Sequence, residues 1–129
     1  NGFEGLEFIK GDCFEELEKL VASGQQFDNV VLDPPRMANH HKQVDSALRA
    51  YHRLNLSAVR LLKPGGRLVS CSCTGRISRE DLIGVLGSVS QRTQRSIQLI
   101  EQRGADFDHP IASNCPESDY LKCLICRVL

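Results

Sequence analysis

Apolar and polar positions along the chain change period several times, and each change marks an element. Gly5 to Lys10 (GLEFIK) sets Leu6, Phe8 and Ile9 between glycines and reads as a short strand closed by Gly11. Asp12 follows with Glu15 three residues on, a capping-box spacing. Phe14, Leu17, Leu20 and Val21 then recur at helical intervals up to Gly24, which supplies the C-cap. Phe27 to Leu32 ends in the unbroken run Val30-Val31-Leu32, the pattern of a parallel strand buried on both faces. Past a polar loop over Met37 to Lys42, the positions Val44, Ala47, Leu48, Tyr51, Leu54, Ala58, Val59 and Leu62 predict an amphipathic helix of about five turns. Lys63-Pro64-Gly65-Gly66 stops it, because proline cannot continue a helix and glycine accepts the left-handed turn that follows one. Arg67 to Cys73 is the next strand. Ser78-x-x-Asp81 caps a further helix with the stripe Leu82, Val85, Leu86 and Val89. Ser96 to Gln102 alternates as a strand does, and Tyr120 to Leu129 is a fifth strand. The order βαβαβαββ predicts a three-layer α/β fold. Its sheet is mostly parallel, with the last two strands, which have no helix between them, forming an antiparallel pair.

Composition narrows the classes without naming one. Of 129 residues, 41% are hydrophobic and 25% charged, as in a soluble globular domain, and no apolar run approaches the roughly 20 residues of a spanning helix. No basic segment followed by an apolar core marks a signal peptide. Sixteen basic residues balance sixteen acidic ones, so no long-range field draws nucleic acid to this chain; a local patch or another domain must do so. Six cysteines in a helix-rich sequence point to reduced thiols in a cytoplasmic protein rather than to a disulfide framework. His40 and His41 are adjacent and have no Cys or acid spaced to join them, so no metal site is expected.

Candidate chemistry gathers at strand ends. Asp33 stands at the carboxyl end of the Phe27 to Leu32 strand, the edge where open α/β sheets bind ligands. Pro34 and Pro35 stiffen the turn after it. Two readings stand: a capped strand exit, or a turn that holds a polar substrate edge against a neighbouring reactive group. Among the thiols, Cys123-x-x-Cys126 has metal-like spacing, but period-two alternation puts the two on opposite faces of a strand and assigns them to packing. Cys13 lies in the first turn of a helix without a nearby base, and Cys115 lies in a loop. Cys71 and Cys73 share one face of the strand after the Asp33 unit, with Cys73 outermost. If consecutive strand-helix-strand units lie side by side, Asp33 and Cys73 meet in one crevice as a nucleophile and a proton-transfer group. A buried thiol ending a strand is the alternative. Asp12 has a capping role available to it in any case.

VVLDPPR, LLKPGGRLVSCSCTG, the DHP of Asp108 to Pro110 and the YLK of Tyr120 to Lys122 together resemble the catalytic half of the bacterial large-subunit (23S) ribosomal RNA methyltransferase I family. The resemblance runs from about Phe8 to Leu129. It implies a Rossmann-like class I methyltransferase sandwich with an antiparallel C-terminal strand, S-adenosyl-L-methionine as cofactor and 5-methylcytosine in ribosomal RNA as product. It assigns Cys73 as the nucleophile and Asp33 as the group that orients and protonates the ring nitrogen. Asp12 resembles the acid that accepts a hydrogen bond from the adenine amino group, with Cys13 and Phe14 alongside the ring. Asp33, Pro34 and Pro35 border the methionine end, and Arg36 and Ser72 lie on the substrate side. Related proline-proline turns in enzymes that methylate exocyclic nitrogens carry an aromatic fourth residue; here that residue is Arg36.

The family's first two strands, with their glycine-rich turn and the acid for the ribose hydroxyls, have no counterpart here, because Gly2, Gly5 and Gly11 make no Gly-x-Gly after a strand. The chain is therefore expected to be a C-terminal piece of a longer methyltransferase whose RNA-binding module lies elsewhere. The Leu6 to Lys10 strand is expected to pair either with the Asp33 strand or with a second copy in a homodimer. The piece alone should bind cofactor weakly or not at all. Two other readings are a nitrogen-directed methyltransferase using the same Asp-Pro-Pro turn and a Rossmann-like interaction module without cofactor.

Overall fold

The computed structural model describes residues 2 and 4–129. Its elements run α1 (Cys13–Ala22), β1 (Phe27–Leu32), α2 (Val44–Leu61), β2 (Leu62–Ser72), α3 (Arg79–Thr93), β3 (Ile97–Arg103) and β4 (Lys122–Val128), with 3-10 turns at His41–Gln43 and Pro116–Ser118. The helix starts follow from their caps. Asp12 accepts from the amides of Phe14 and Glu15 at 2.9 and 3.3 Å. At α3, Ser78 Oγ accepts from Asp81 N at 3.0 Å while the Asp81 carboxylate accepts from Ser78 N at 2.8 Å, closing the box expected from the spacing. The C-cap of α1 is Ser23 rather than Gly24, which takes the left-handed position just after it, φ +74°.

The sheet order is β1-β2-β4-β3. β1 and β2 are parallel, and β4 runs antiparallel to both β2 and β3, so a single reversed strand, the C-terminal one, is inserted into an otherwise parallel sheet. α2 packs on α1, α3, β1 and β2, and α3 reaches β3, which lays the helices over one face of the sheet. The core lies between, built from Tyr51, Leu54 and Ala58 of α2, Leu82, Leu86 and Val89 of α3, and Leu68, Leu124, Cys126 and Val128 of the sheet.

Three expectations change. Leu6 to Lys10 is not a strand; it pairs with nothing among the described residues, and Leu6, Phe8 and Ile9 are 68%, 88% and 59% exposed. Apolar alternation alone does not make a strand, because the ladder hydrogen bonds need a partner, and the free edge of β1 is not used by this segment. The run Val30-Val31-Leu32 is covered on one face only: Leu32 is buried, whereas Val31, pointing away from the helices, is 65% exposed. Finally, Lys63-Pro64-Gly65-Gly66 does not separate α2 from β2 but is absorbed into β2 as a bulge. Phe27 pairs with Leu62 and Asn29 already with Arg67, so five residues of β2 advance past two of β1. Gly65 takes φ +81°, and a Cβ on Gly66 would stand 2.9 Å from Lys63 O and 3.0 Å from Asp28 O, so both glycines are required there.

Behind this corner Arg95 makes a knot. Its guanidinium donates to the carbonyls of Val59 and Leu62 at 2.6 Å each, and to those of Lys63, Val128 and Leu129 at 3.0 to 3.4 Å, joining the end of α2, the start of β2 and the end of β4. Among the described residues no helix is long and apolar enough to cross a membrane.

Candidate active site

The parallel register Val30↔Leu68, Val31↔Val69, Leu32↔Ser70 brings the carboxyl ends of β1 and β2 to the same rim. From β1 the chain leaves as Asp33-Pro34-Pro35-Arg36-Met37, and from β2 as Cys73-Thr74-Gly75-Arg76. Alternation then sorts the side chains. Leu68, Ser70, Ser72 and Thr74 are buried toward the helices, while Val69, Cys71 and Cys73 point the other way and are half-buried. The Cys73 thiol donates to the carbonyl of Pro34 across 3.9 Å, a sulfur contact between the two turns. Cys73 thus sits against the residue next to Asp33, whose side chain is exposed on the adjoining tip.

Cys71 is a poor nucleophile. It lies opposite Cys123 across the β2–β4 ladder. Burial first, then the hydrogen bond and charge of Cys123, and then the charge of Asp33, push its thiol up from 9.0 to about 12. That keeps it protonated at neutral pH, and the thiolate is the reactive form. Cys123 is half-buried and Cys126 fully buried on opposite faces, as their spacing implied.

Beneath the rim is a buried hydrogen-bond network. Tyr51 of α2, 1% exposed, donates its hydroxyl hydrogen to Ser72 Oγ at 2.9 Å and lies 3.0 Å from Thr74 Oγ1. Thr74 Oγ1 accepts from Met37 N at 3.1 Å, and Ser72 Oγ accepts from Thr74 N at 3.2 Å. The phenol therefore joins Ser72 and Thr74 on either side of Cys73, and the Thr74 hydroxyl carries the link on to Met37 in the turn after β1. Ser72, expected on the substrate side, is instead fully buried with its oxygen engaged inside the protein, because alternation turns it from the face that Cys73 presents. Arg36 is exposed and lines an open cavity of about 620 Å³ with Asn39, Gly75, Arg76, Asp119 and Tyr120. Arg76 Nε donates to Asn39 O at 3.3 Å, bracing the two turns on that side.

Asp12, Cys13 and Phe14 sit apart, at the start of α1. One carboxylate oxygen of Asp12 serves the two helix amides, and the other makes no hydrogen bond among the described residues, which leaves an acceptor open at an exposed residue. Cys13 is exposed, and Phe14 is half-buried under the Arg53 guanidinium, 4.9 Å from its ring centre. No hydrogen bond among the described residues links these three to the Asp33 and Cys73 turns. Sequence reading missed Tyr51, Thr74, Arg76 and Tyr120. A hydroxyl-bearing aromatic on the buried stripe of a helix was the one available signal, since a buried tyrosine needs a polar partner.

A family model described as a methyltransferase domain matches residues 1–119. Proteins named ribosomal RNA large subunit methyltransferase I, from Yersinia pestis bv. Antiqua (strain Angola) and Yersinia pseudotuberculosis serotype O:3 (strain YPIII), are each 37% identical over 123 residues, which is 95% of this chain and 31% of theirs. The chain spans about a third of the length of these curated relatives. Among solved structures, SMU.776 complexed with SAH matches with a TM-score of 0.75 at 17% identity, over 91% of this chain and 30% of that one. NSun6 from Pyrococcus horikoshii with SFG matches with a TM-score of 0.67 at 19% identity, over 98% of this chain and 35% of that one.

Proposed function

The chain belongs to the methyltransferase-domain family, and we propose that it forms the catalytic part of an S-adenosyl-L-methionine-dependent enzyme that makes 5-methylcytosine in ribosomal RNA. The observation that carries this reading is the Cys73 thiol lying against Pro34, one residue from Asp33, on the face of the sheet away from the helices. The relatives named ribosomal RNA large subunit methyltransferase I support the substrate class.

The chemistry requires such a thiol. Carbon 5 of cytosine is a weak nucleophile, so Cys73 adds to carbon 6: the sulfur–carbon bond forms, and the ring's electron density moves toward carbon 5 and the ring nitrogen. Asp33 holds a proton between its carboxylate and that nitrogen, which stabilises the adduct. After methylation the carbon 5 proton leaves to a base, the thiolate is eliminated and the ring recovers its aromaticity. S-adenosyl-L-methionine supplies, when bound, an electrophilic methyl group. The open carboxylate oxygen of Asp12 fits its adenine amino group, with Cys13 and Phe14 beside the ring, and Asp33, Pro34 and Pro35 fit its methionine end. The target base must leave its stack to reach Cys73, and Arg36 is set to meet the strand that carries it. Six free thiols suit a reducing, cytoplasmic setting.

The test uses the full protein with ribosomal RNA fragments carrying 5-fluorocytosine. A covalent protein–RNA adduct is expected, and Cys73→Ala is expected to abolish both the adduct and methyl transfer. Full methylation by Cys73→Ala would overturn the reading in favour of a nitrogen-directed reaction.

A further inference from the structure

Among the described residues, Lys122 is the one charged residue of the sheet that is buried. It opens β4 opposite Ser72, the last residue of β2, in the same alternation class as Leu124, Cys126 and Val128, and it is 7% exposed. Burial lowers its ammonium pKa, with Arg79 acting in the same direction and Asp119, Cys73 and Asp81 against it. No carboxylate lies within ion-pair distance of it among the described residues. An ammonium in that setting is unfavourable unless its hydrogens are used. Two of them are: Nζ donates to Thr74 O at 2.7 Å and to Ile77 O at 2.6 Å. Thr74 and Ile77 are both fully buried, and Thr74 O also accepts from Ile77 N at 3.0 Å, so the lysine grips the inside of the turn that begins at Cys73.

Thr74 is thereby fixed at every polar atom. Its amide is held by Ser72, its hydroxyl by Tyr51 and Met37, and its carbonyl by Lys122. Cys73, bonded to it, inherits that restraint. A leucine or methionine would fill the same space without desolvating a charge. What the lysine adds is a donor for two carbonyls on the rim turn.

We propose that Lys122 is a positioning residue for Cys73. By docking on the Thr74 and Ile77 carbonyls, it sets the turn that keeps the Cys73 thiol against the Pro34 turn and presents Arg76 to the neighbouring cavity. This rests on Cys73 being the nucleophile, and the experiment separates the two claims. In the full protein, Lys122→Met, Lys122→Arg and a surface control, Lys63→Met, are compared for thermal unfolding, for RNA KM and kcat, for the rate of adduct formation on 5-fluorocytosine RNA and for the rate of Cys73 alkylation by iodoacetamide.

Misplacement of a reacting atom by about 1 Å costs up to a hundredfold, so Lys122→Met should slow adduct formation and kcat by about tenfold or more with KM little changed. Lys122→Arg, which keeps donors for both carbonyls, should recover most of that rate, and Lys63→Met should leave it unchanged. Folded Lys122→Met with wild-type adduct and alkylation rates overturns the proposal. If Lys122→Met does not fold, Lys122→Gln, which keeps a donor for one carbonyl, replaces it, and a wild-type rate there overturns it equally. If wild-type protein forms no adduct, the nucleophile assignment fails, and Lys122 is judged on alkylation of Cys73 alone: an altered rate in the folded variant supports it, an unaltered rate ends it.

Discussion

Replacing Arg95 tests whether the fold is closed by side chain–to–backbone bonds rather than by apolar packing alone. Arg95→Ala removes the guanidinium that holds five carbonyls, two of them at 2.6 Å in a part-buried corner formed by Val59 and Leu62, both fully buried residues. Hydrogen bonds to a charged group contribute about 1.5–3 kcal/mol each when sheltered, and a carbonyl stripped of its donor in a place water cannot reach loses a similar amount. The contacts to Lys63 and Leu129 are exposed and count for little. All five share one side chain, so their energies do not add. Of the three part-buried contacts, the two at 2.6 Å set the scale at about 3–5 kcal/mol, a large share of the roughly 5–15 kcal/mol that stabilises a domain, and the one to Val128 at 3.4 Å adds little. Arg95→Lys keeps the charge at the end of α2 but only one nitrogen, and should lose about half as much. Urea unfolding followed by circular dichroism reads both values, with the slope m unchanged. An Arg95→Ala variant within about 1 kcal/mol of wild type would refute the reasoning, since it would mean that water replaces the guanidinium at no penalty.

Tyr51→Phe removes the phenol that bridges Ser72 and Thr74 and should cost about 1–3 kcal/mol in urea unfolding while altering the alkylation rate of Cys73; no change in either would show the network to be idle. Gly66→Ala forces a Cβ against two backbone oxygens and should destabilise by about 1–3 kcal/mol, measured as a lowered thermal midpoint. Burial raises Cys71 to about 12 and Cys126 to about 11 from 9.0, so the folded chain keeps protons that the unfolded chain releases, and these groups lower stability as pH climbs from about 9 toward 12 and leave it unaffected below. At pH 9, iodoacetamide should label exposed Cys13 and Cys115 well before Cys71 and Cys126, and equal labelling by peptide mass spectrometry would contradict that order.

The parts of the fold that were legible are those where local and tertiary demands agree. α2 begins at Val44 because its apolar positions repeat at helical spacing and the core uses that same stripe. α3 starts where Ser78 and Asp81 can cap each other. Asp33 and Cys73 could be set on adjoining tips before any coordinates, because consecutive parallel strands joined by one helix usually lie side by side. Leu6 to Lys10 failed for the converse reason: alternation reports which side a strand would bury but not whether another strand is there to bond it. Val31 failed similarly, since an apolar run states what could be covered, not what covers it. Lys122 was hidden because its partners are carbonyls 48 and 45 residues away, and a carbonyl leaves no trace in a sequence.

Period two divides the labour at the rim. On β2 and its extension, the residues turned from the helices, Cys71 and Cys73, present their thiols on the open face, while those turned toward them, Ser72 and Thr74, carry the hydrogen bonds that hold the turn. Lys122 falls in the second class on β4. A slip of β2 by one residue would exchange the classes, burying the Cys73 thiol and turning Ser72 outward. Ladders on both sides oppose that slip: β1 pairs through Leu32↔Ser70 and β4 through Ser72↔Lys122. The Gly65-Gly66 bulge takes up the length difference at the far end, away from the site. The position of Cys73 is therefore a consequence of register, fixed by two neighbouring strands and by the bonds that Tyr51 and Lys122 make to Thr74 beside it.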